Sequence, residues 1–383
     1  MKPWKQTDVV IVGGGPAGAT AAFLLARKGF EVDLFEKKKV PRHKLCAGLI
    51  TWKTVTLIGS LLDEPISRLK TMGIFTHACR DYRVFFKQSE IGRGSLDFPF
   101  HFVRRAEYDH WWLKAARRAG ARIHDNEAVL NLDPENRRIV TSDGRHIQAR
   151  VVIGADGVWS LTRKTCHGMS HLKQWRRGLA MALEIRTPFN RSTPPPNHAA
   201  LHFGYVPWGY AWSFPSQEEW IIGVCSLRRL DDRPFKASFY DFLNELEPSG
   251  QLLVSLQSHP LPYGNFLRRP SRNHVLLVGD ACGLADPLLG EGIYYAHRSA
   301  QLAAQAICAD TPDFQRLDNL YTHLIHRRLT SELRWVQAYR NLLFYGGRVR
   351  RFRGLKLFLH MFPKRLEAAI QGKRPFSRLL WPG

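Results

Sequence analysis

Gly13, Gly15 and Gly18 form a Gly-x-Gly-x-x-Gly run, and Glu36 follows eighteen residues after the last of them. Glycine at these positions permits a tight turn at Gly13, close approach of the main chain to a pyrophosphate at Gly15, and close helix packing at Gly18. The Glu36 carboxylate can accept hydrogen bonds from ribose hydroxyls. The chemistry implied is dinucleotide binding. A second group, Arg42, His43, Lys44 and Cys46, brings two cations close to a thiol, which favours the thiolate. A third set, Tyr210, Trp212 and Phe214, alternates along an apolar run, and Trp208 extends it with the same parity. On a strand these four rings share one face, an apolar wall suited to a long hydrocarbon or a flat ligand.

These residues need particular elements to position them. Val9–Val12 reads as a buried strand, about Pro16 to Lys28 as a helix, and Val32–Phe35 as a second strand. The diphosphate then sits on the helix start, where free N–H groups and the dipole favour negative charge. The 42–46 group follows the second strand, on the side where open α/β sheets bind ligands. Arg105 opens a helix running to about Ala119, and strands follow near 128–148, with Asp143-Gly144 as a hairpin turn. Val151–Gly154 is a strand ending at Ala155-Asp156-Gly157. From about Gly178 to Leu227 the pattern alternates and is aromatic, and RSTPPPN at 191–197 reads as an exposed loop. Val275–Val278 is a buried strand leading into Gly279-Asp280, and a long helix runs from about Glu291 to Cys308.

The chain has 383 residues, 44% apolar, and a formal charge of +23. Residues 311–383 hold 15 Lys and Arg against 4 Asp and Glu, about half of the excess. Leu355, Phe358, Leu359, Phe362 and Leu366 share one face if 348–366 is helical, a basic amphipathic pattern that suits an anionic membrane surface or a helix packed on the body with its basic side in solvent. No nucleic-acid motif accompanies the charge, so no nucleic-acid partner is expected. No run reaches the ~20 apolar residues of a membrane span. Six cysteines without a Cys-x-x-Cys, and a short polar start, lead us to expect reduced thiols in a cytoplasmic protein, peripheral at the inner face of the membrane. Cys166, His167 and His171, and His323 and His326, complete no zinc pattern, so no metal is expected.

Taken in order, the N-terminal fingerprint, Arg105, the Gly154–Gly157 turn and Gly279–Gly292 resemble the FAD-dependent oxidoreductases of the glutathione-reductase type. The resemblance implies that Asp280 meets the ribityl chain, that the helix beginning near Gly292 points at the flavin pyrimidine, and that Arg105 lies near the FAD chain. Two segments are similar to the geranylgeranyl reductases within that superfamily. One is Pro41-Arg42-His43-Lys44-Leu45-Cys46-Ala47-Gly48, against their Pro-Arg-x-Lys-x-Cys-Gly-Gly. The other is Tyr210-x-Trp212-x-Phe214-Pro215 with Gly223, against their Tyr-x-Trp-x-Phe-Pro…Gly-x-Gly. Ala47 and Cys225 depart from the family glycines.

The resemblance implies an α/β fold: a Rossmann-type FAD-binding domain (1–75, 100–177 and 270–320), an inserted β-rich substrate domain (76–99 and 178–269), and a basic helical C-terminal region (321–383). FAD contacts are expected from Gly13, Gly15, Ala17, Gly18, Glu36, Lys37, Arg42, Cys46, Ala47, Gly48, Arg105, Asp156, Gly279, Asp280, Gly290, Gly292 and Ile293. Cys46, Tyr210 and Trp212 are expected at the reacting centre, and Trp208, Tyr210, Trp212 and Phe214 along the substrate. The activity expected is reduction of C=C bonds in a prenyl lipid, with NADPH or a small redox protein as electron donor. The alternative is FAD-dependent hydroxylation of an aromatic, peptide or protein substrate. Tyr210–Pro215 also resembles, less closely, the Trp-x-Trp-x-Ile-Pro of flavin halogenases.

Overall fold

The computed structural model describes residues 3–188, 197–217, 219–227, 235–246, 255–344, 355–357 and 359–381. Most of the 191–197 loop lies outside the described residues, as do 345–354 and Phe358 of the basic segment. The chain begins with β1 (Lys5–Val12), α1 (Pro16–Arg27), β2 (Val32–Glu36), β3 (Leu49–Ile50), α2 (Trp52–Leu62) and α3 (Ile66–Thr71). It continues through β4 (His77–Phe86), β5 (Ser89–Phe102), α4 (Arg105–Arg118), β6 (Arg122–Asp125), β7 (Val129–Asp133), β8 (Arg138–Thr141) and β9 (His146–Gly154). Then come α5 (Leu161–Arg177), β10 (Leu179–Pro188), β11 (His198–Phe203), β12 (Gly209–Pro215), β13 (Glu219–Leu227), α6 (Phe235–Leu246) and β14 (Gln257–Pro262). The chain ends with β15 (Ser271–Arg272), β16 (Val275–Leu277), α7 (Ile293–Ala309), α8 (Leu317–Ile325), α9 (Ser331–Phe344) and α10 (Pro363–Ile370).

The first sheet runs β15-β16-β9-β1-β2-β6, with β8 and β7 hairpinned onto β9. Its core is parallel: Val9 pairs with Val32 on one side and Val151 on the other, and Val152 pairs with Val275. Val9–Val12 are buried because both faces of such a sheet are covered, which an unbroken apolar run permits and an alternating one would not. The sheet is assembled from three separate stretches of chain, as a Rossmann-type domain interrupted by an insertion requires. Helices α1, α4 and α7 pack over it. Small residues (Ala17, Ala19, Ala21 and Ala22 against Ala300, Ala303 and Ala304) let α1 and α7 lie close together. Buried His297 ties the three helices, since one ring nitrogen meets Thr20 Oγ1 and the other Tyr108 Oη, each at 2.6 Å. Burial lowers His297 to about 3, so the ring is neutral and has one donor and one acceptor for these two hydroxyls.

The second sheet runs β14-β10-β13-β12-β11-β4-β5-β3, antiparallel except for β4 with β11. One face packs Leu183, Ile185, Ala211, Ile222 and Val224 against Phe239, Phe242 and Leu243 of α6. The opposite face carries Tyr210, Trp212 and Phe214, as period-2 alternation predicts. The C-terminal helices close over this face. Leu359 is buried against it, and Leu355, Leu366 and Ile370 pack beside it. The continuous helix expected through 366 ends before Phe362, because Pro363 starts a new helix and Phe362 is non-helical (φ −135°, ψ 43°). Among the described residues, no helix is long and apolar enough to cross a membrane.

Candidate functional site

One continuous cavity of about 1110 Å³ starts at the α1 N-terminus and ends among the C-terminal helices. Gly13 has φ +105°, and a Cβ there would lie 2.4 Å from the Ala155 carbonyl oxygen. A Cβ at Gly18 would lie 1.9 Å from the Gly13 oxygen. The β1–α1 turn is therefore open only to glycine at both places. Gly15 caps α1 with no side-chain bond, so the first-turn N–H groups remain available to an anion. Glu36 stands at the tip of β2: Oε2 accepts from Gly14 N at 2.9 Å, and Oε1 from Lys38 N at 3.1 Å.

A relay of ion pairs fixes the wall beyond Glu36. Arg42 Nε lies 3.1 Å from Glu36 Oε2, and its Nη1 lies 3.2 Å from Asp109 Oδ2. Asp109 in turn takes a two-pronged bond from Arg105, at 2.9 and 3.0 Å. Arg105 and Lys44 both act electrostatically on Cys46, whose Sγ accepts from Gly48 N at 3.3 Å. Burial lowers Lys44 to about 8 despite the pull of Asp280, and Lys44 donates to His259. His259 is lowered to about 3, first by burial and then by Lys44.

The opposite wall is the 279–293 loop. Gly279 N donates to Ser299 Oγ at 2.9 Å. Arg163 stacks on Trp175 and donates to the carbonyls of Ala281 and Val158, which anchors the turn bearing Asp280. Asp286 Oδ1 accepts from Leu288 N and Leu289 N, a local turn that shapes the approach to Gly290. Glu291 is held by Thr51 at 2.7 Å and by Lys53 at 2.6 Å. Gly292 caps α7 with no side-chain bond. The Asp156 carboxylate holds Thr162 through Oδ2, whereas its buried Oδ1 has no partner.

These features fit FAD. Two uncapped helix starts face one cavity, the glycine cradle leaves room for a phosphate, and a buried carboxylate oxygen awaits a donor. Every residue expected to contact the cofactor lines this cavity except Gly18, whose place is in the helix packing. Among the described residues, no group of three His, Cys, Asp or Glu could hold a metal ion.

The cavity continues onto the second sheet. Tyr210, Trp212 and Phe214 line it. Trp208 does not: it keeps the same parity, and its carbonyl accepts from Leu227 N at 3.1 Å, but it lies past the end of the cavity and packs with Ala180, Leu227 and Tyr263. Tyr210 donates to the Leu289 carbonyl, and Tyr263 to that of Leu288 at 2.5 Å, so the aromatic wall is bonded to the 286–292 loop. Gly223 pairs with Trp212 across β12–β13, and a Cβ there would lie 2.2 Å from Trp212 Cζ2. The indole therefore lies over the glycine. Cys225 fills the next row, between Ala182 and Tyr210. Beyond the rings, Leu343, Leu355, Leu359, Leu366, Ile370 and Leu379 extend an aliphatic lining. Leu342 and Leu380 also line it, yet are 65% and 59% exposed, so they mark its mouth.

Sequence reasoning missed Asp109, Glu184, His259, Tyr263 and the Thr51–Lys53–Glu291 clasp. Asp109 had a signal, lying one helical turn after Arg105. Glu184 had a weaker one, as a lone carboxylate between apolar neighbours in a strand. His259 and Tyr263 had none, because only the sheet register brings them in.

Residues 6–176 match a family model described as "FAD binding domain". Menaquinone reductase of Mycobacterium tuberculosis is 31% identical, over 82% of this chain and 78% of that protein. The chloroplastic geranylgeranyl diphosphate reductase of Arabidopsis thaliana is 28% identical, over 79% and 66%. A geranylgeranyl bacteriochlorophyll reductase-like structure from Thermoplasma acidophilum superposes with a TM-score of 0.78 at 19% identity, over 96% of this chain and 99% of that one. A flavin-dependent brominase and an oxygenase share the fold as well, so the fold alone does not choose between reduction and oxygenation.

Proposed function

This chain belongs to the geranylgeranyl reductase family of FAD-dependent oxidoreductases, and from that premise we propose that it reduces C=C bonds of a prenyl lipid. The observation that carries this reading is the single cavity in which the FAD cradle opens onto an aromatic wall and then an aliphatic tunnel. Its lining beyond the rings is largely aliphatic, which suits a hydrocarbon chain better than an aromatic acid or a peptide. Gly13, Gly15, Glu36, Arg42, Asp156, Asp280 and the α7 start would hold FAD. Bound and reduced, FAD supplies hydride, and the protein supplies position and exclusion of water.

The residues divide that work. Arg42 and Arg105, locked through Asp109, hold the 42–48 segment against the cofactor. Tyr210, Trp212 and Phe214 hold the chain, and the Trp212 face stabilises cationic character developing on an alkene carbon. Cys46 stands where the two compartments meet. The exposed Leu342 and Leu380 at the mouth suit a substrate drawn from a lipid surface, and the chain's excess of Lys and Arg suits anionic headgroups. The electron donor is a reduced nicotinamide or a small redox protein.

The test is anaerobic. Protein reconstituted with FAD is reduced with dithionite and mixed with geranylgeranyl lipids. The expected outcome is reoxidation of the flavin by the lipid and a product heavier by two hydrogens per bond. No lipid-dependent reoxidation across a broad prenyl panel rejects the reading. A product heavier by an oxygen, formed only in air, supports the hydroxylase instead.

A further inference from the structure

An unactivated alkene that receives hydride at one carbon must receive a proton at the other. Cys46 and Lys44 are already engaged, the thiol by Gly48 N and the ammonium by His259. Glu184 on β10 is a different kind of group. It lines the cavity, its side chain is 2% exposed, and Oε2 has no hydrogen-bond partner. Its charged neighbour Arg186 is committed elsewhere, at 2.7 Å to Glu219 Oε1 and 3.0 Å to the Cys46 carbonyl, and stands 3.6 Å from Glu184 Oε1. Burial of a carboxyl with so loose a counter-ion favours the neutral acid. Burial raises Glu184 to about 7, against the pull of Arg186 and with the push of Glu219.

Its placement is set by register. Glu184 pairs with Gly223, and Gly223 pairs with Trp212, so the three form one row across the sheet. Paired residues of antiparallel strands present their side chains on the same face. Gly223 contributes no side chain, and the indole of Trp212 lies over it, which brings the ring towards Glu184 on the same face. Glu184 and Trp212 both line the cavity, so an alkene held against this row meets the acid and the aromatic ring together.

We propose that Glu184 donates the proton that completes reduction of the alkene. The proposal rests on the prenyl-reductase reading above. One π bond breaks and two C–H bonds form. One carbon takes hydride with its electron pair, and the other takes the proton from the Glu184 O–H, whose bonding pair remains on the carboxylate. The alkene gains two electrons, which the reduced cofactor loses. Solvent returns the proton, and an electron donor of the nicotinamide or small redox-protein class restores the cofactor. The groups that set the acid's charge state are Arg186 on β10, Glu219 on β13 and the Cys46 main chain, whose hydrogen bond favours the carboxylate; His259 on β14 and His43 and Lys44 opposite line the same cavity.

The experiment uses the full chain reconstituted with FAD. Lipid-dependent reoxidation of the dithionite-reduced protein is followed against pH for wild type, E184Q and E184D. General acids typically contribute ~10²–10⁴-fold. E184Q should therefore lose on the order of 100-fold or more, with the flavin spectrum unchanged. The wild-type rate should fall above about pH 7, and E184D should restore part of it with its own pH dependence. Infrared difference spectra of the protein without substrate supply a second readout. A carboxylic C=O band should titrate near pH 7 in the wild type and be absent from E184Q. A wild type that no lipid reoxidises overturns the reductase reading and this role with it. A reoxidised wild type with an equally fast E184Q, or without a carboxyl titrating near neutrality, overturns the role alone.

Discussion

Glu184 couples pH to stability as well as to proton supply. Its folded value, about 7, lies above the ordinary 4.5. Between those values the folded chain keeps a proton that the unfolded chain has released. Its contribution is therefore complete below about pH 4.5 and disappears as pH rises through 7. The shift corresponds to about 3 kcal/mol. Denaturant melts of wild type and E184Q at pH 4.5 and 8 should show the wild type losing about that much more between the two. Equal pH dependence in the two proteins would mean that the carboxyl is already ionised in the fold. Lys44 runs the other way. Its value falls to about 8, so stability rises with pH from about 8 towards its ordinary 10.5. The Glu184 comparison leaves that contribution in place on both sides.

At the scale of elements, the β1–α1–β2 unit was the most legible part of the chain. Glycine spacing and an unbroken apolar run are local signals, and Glu36 stands where the spacing from Gly18 put it. The prediction at this scale follows from the close approach at Gly18. A Cβ there meets the Gly13 oxygen at 1.9 Å, so Gly18→Ala must push α1 off the sheet or distort the turn. The purified variant should be colourless, with flavin absorbance lost even after incubation with excess FAD. The aromatic face of β12 was also legible, because alternation fixes which side a residue takes. Trp208 shows the limit of that rule, since parity gives the face and not how far along it the cavity reaches. Glu184 was only faintly legible and His259 not at all, because they matter through their neighbours on β13, β12 and β10. Those neighbours are set by sheet order, which no local pattern encodes. Of the C-terminal stripe, Phe362 leaves the helix and Phe358 lies outside the described residues, and of the two partners it suited, a membrane surface or the body of the protein, the second is what the rest of it meets. Leu355, Leu359 and Leu366 turn inward, to the cavity.

For the whole molecule, that inward turn narrows what a membrane could touch. Among the described residues of the C-terminal region, the large apolar side chains left exposed to a bilayer are Trp335, Leu342, Leu357, Met361, Leu380 and Trp381, of which Leu342 and Leu380 stand at the cavity mouth. The charge of +23 then supplies the long-range attraction. Binding to vesicles should require anionic lipid and should weaken sharply as salt rises, because the Debye length falls from ~10 Å at 0.1 M to ~3 Å at 1 M. Cosedimentation with phosphatidylglycerol vesicles checks this against phosphatidylcholine vesicles. The double substitution Leu342→Asp, Leu380→Asp should reduce binding while leaving the flavin spectrum intact. Equal binding to neutral vesicles would show that charge does not direct the encounter.

The phenols of Tyr210 and Tyr263 end on adjacent carbonyls, Leu289 and Leu288, one step from Gly290. Tyr210, on the cavity wall, and Tyr263, behind it, thus fasten the second sheet to the rim of the nucleotide cleft. A guest that displaced the Tyr210 ring would pull on the Leu289 peptide beside Gly290, and a change of charge on a cofactor held there would be passed back along the same bond. Affinity for the guest and readiness to accept electrons become two faces of one reciprocal equilibrium.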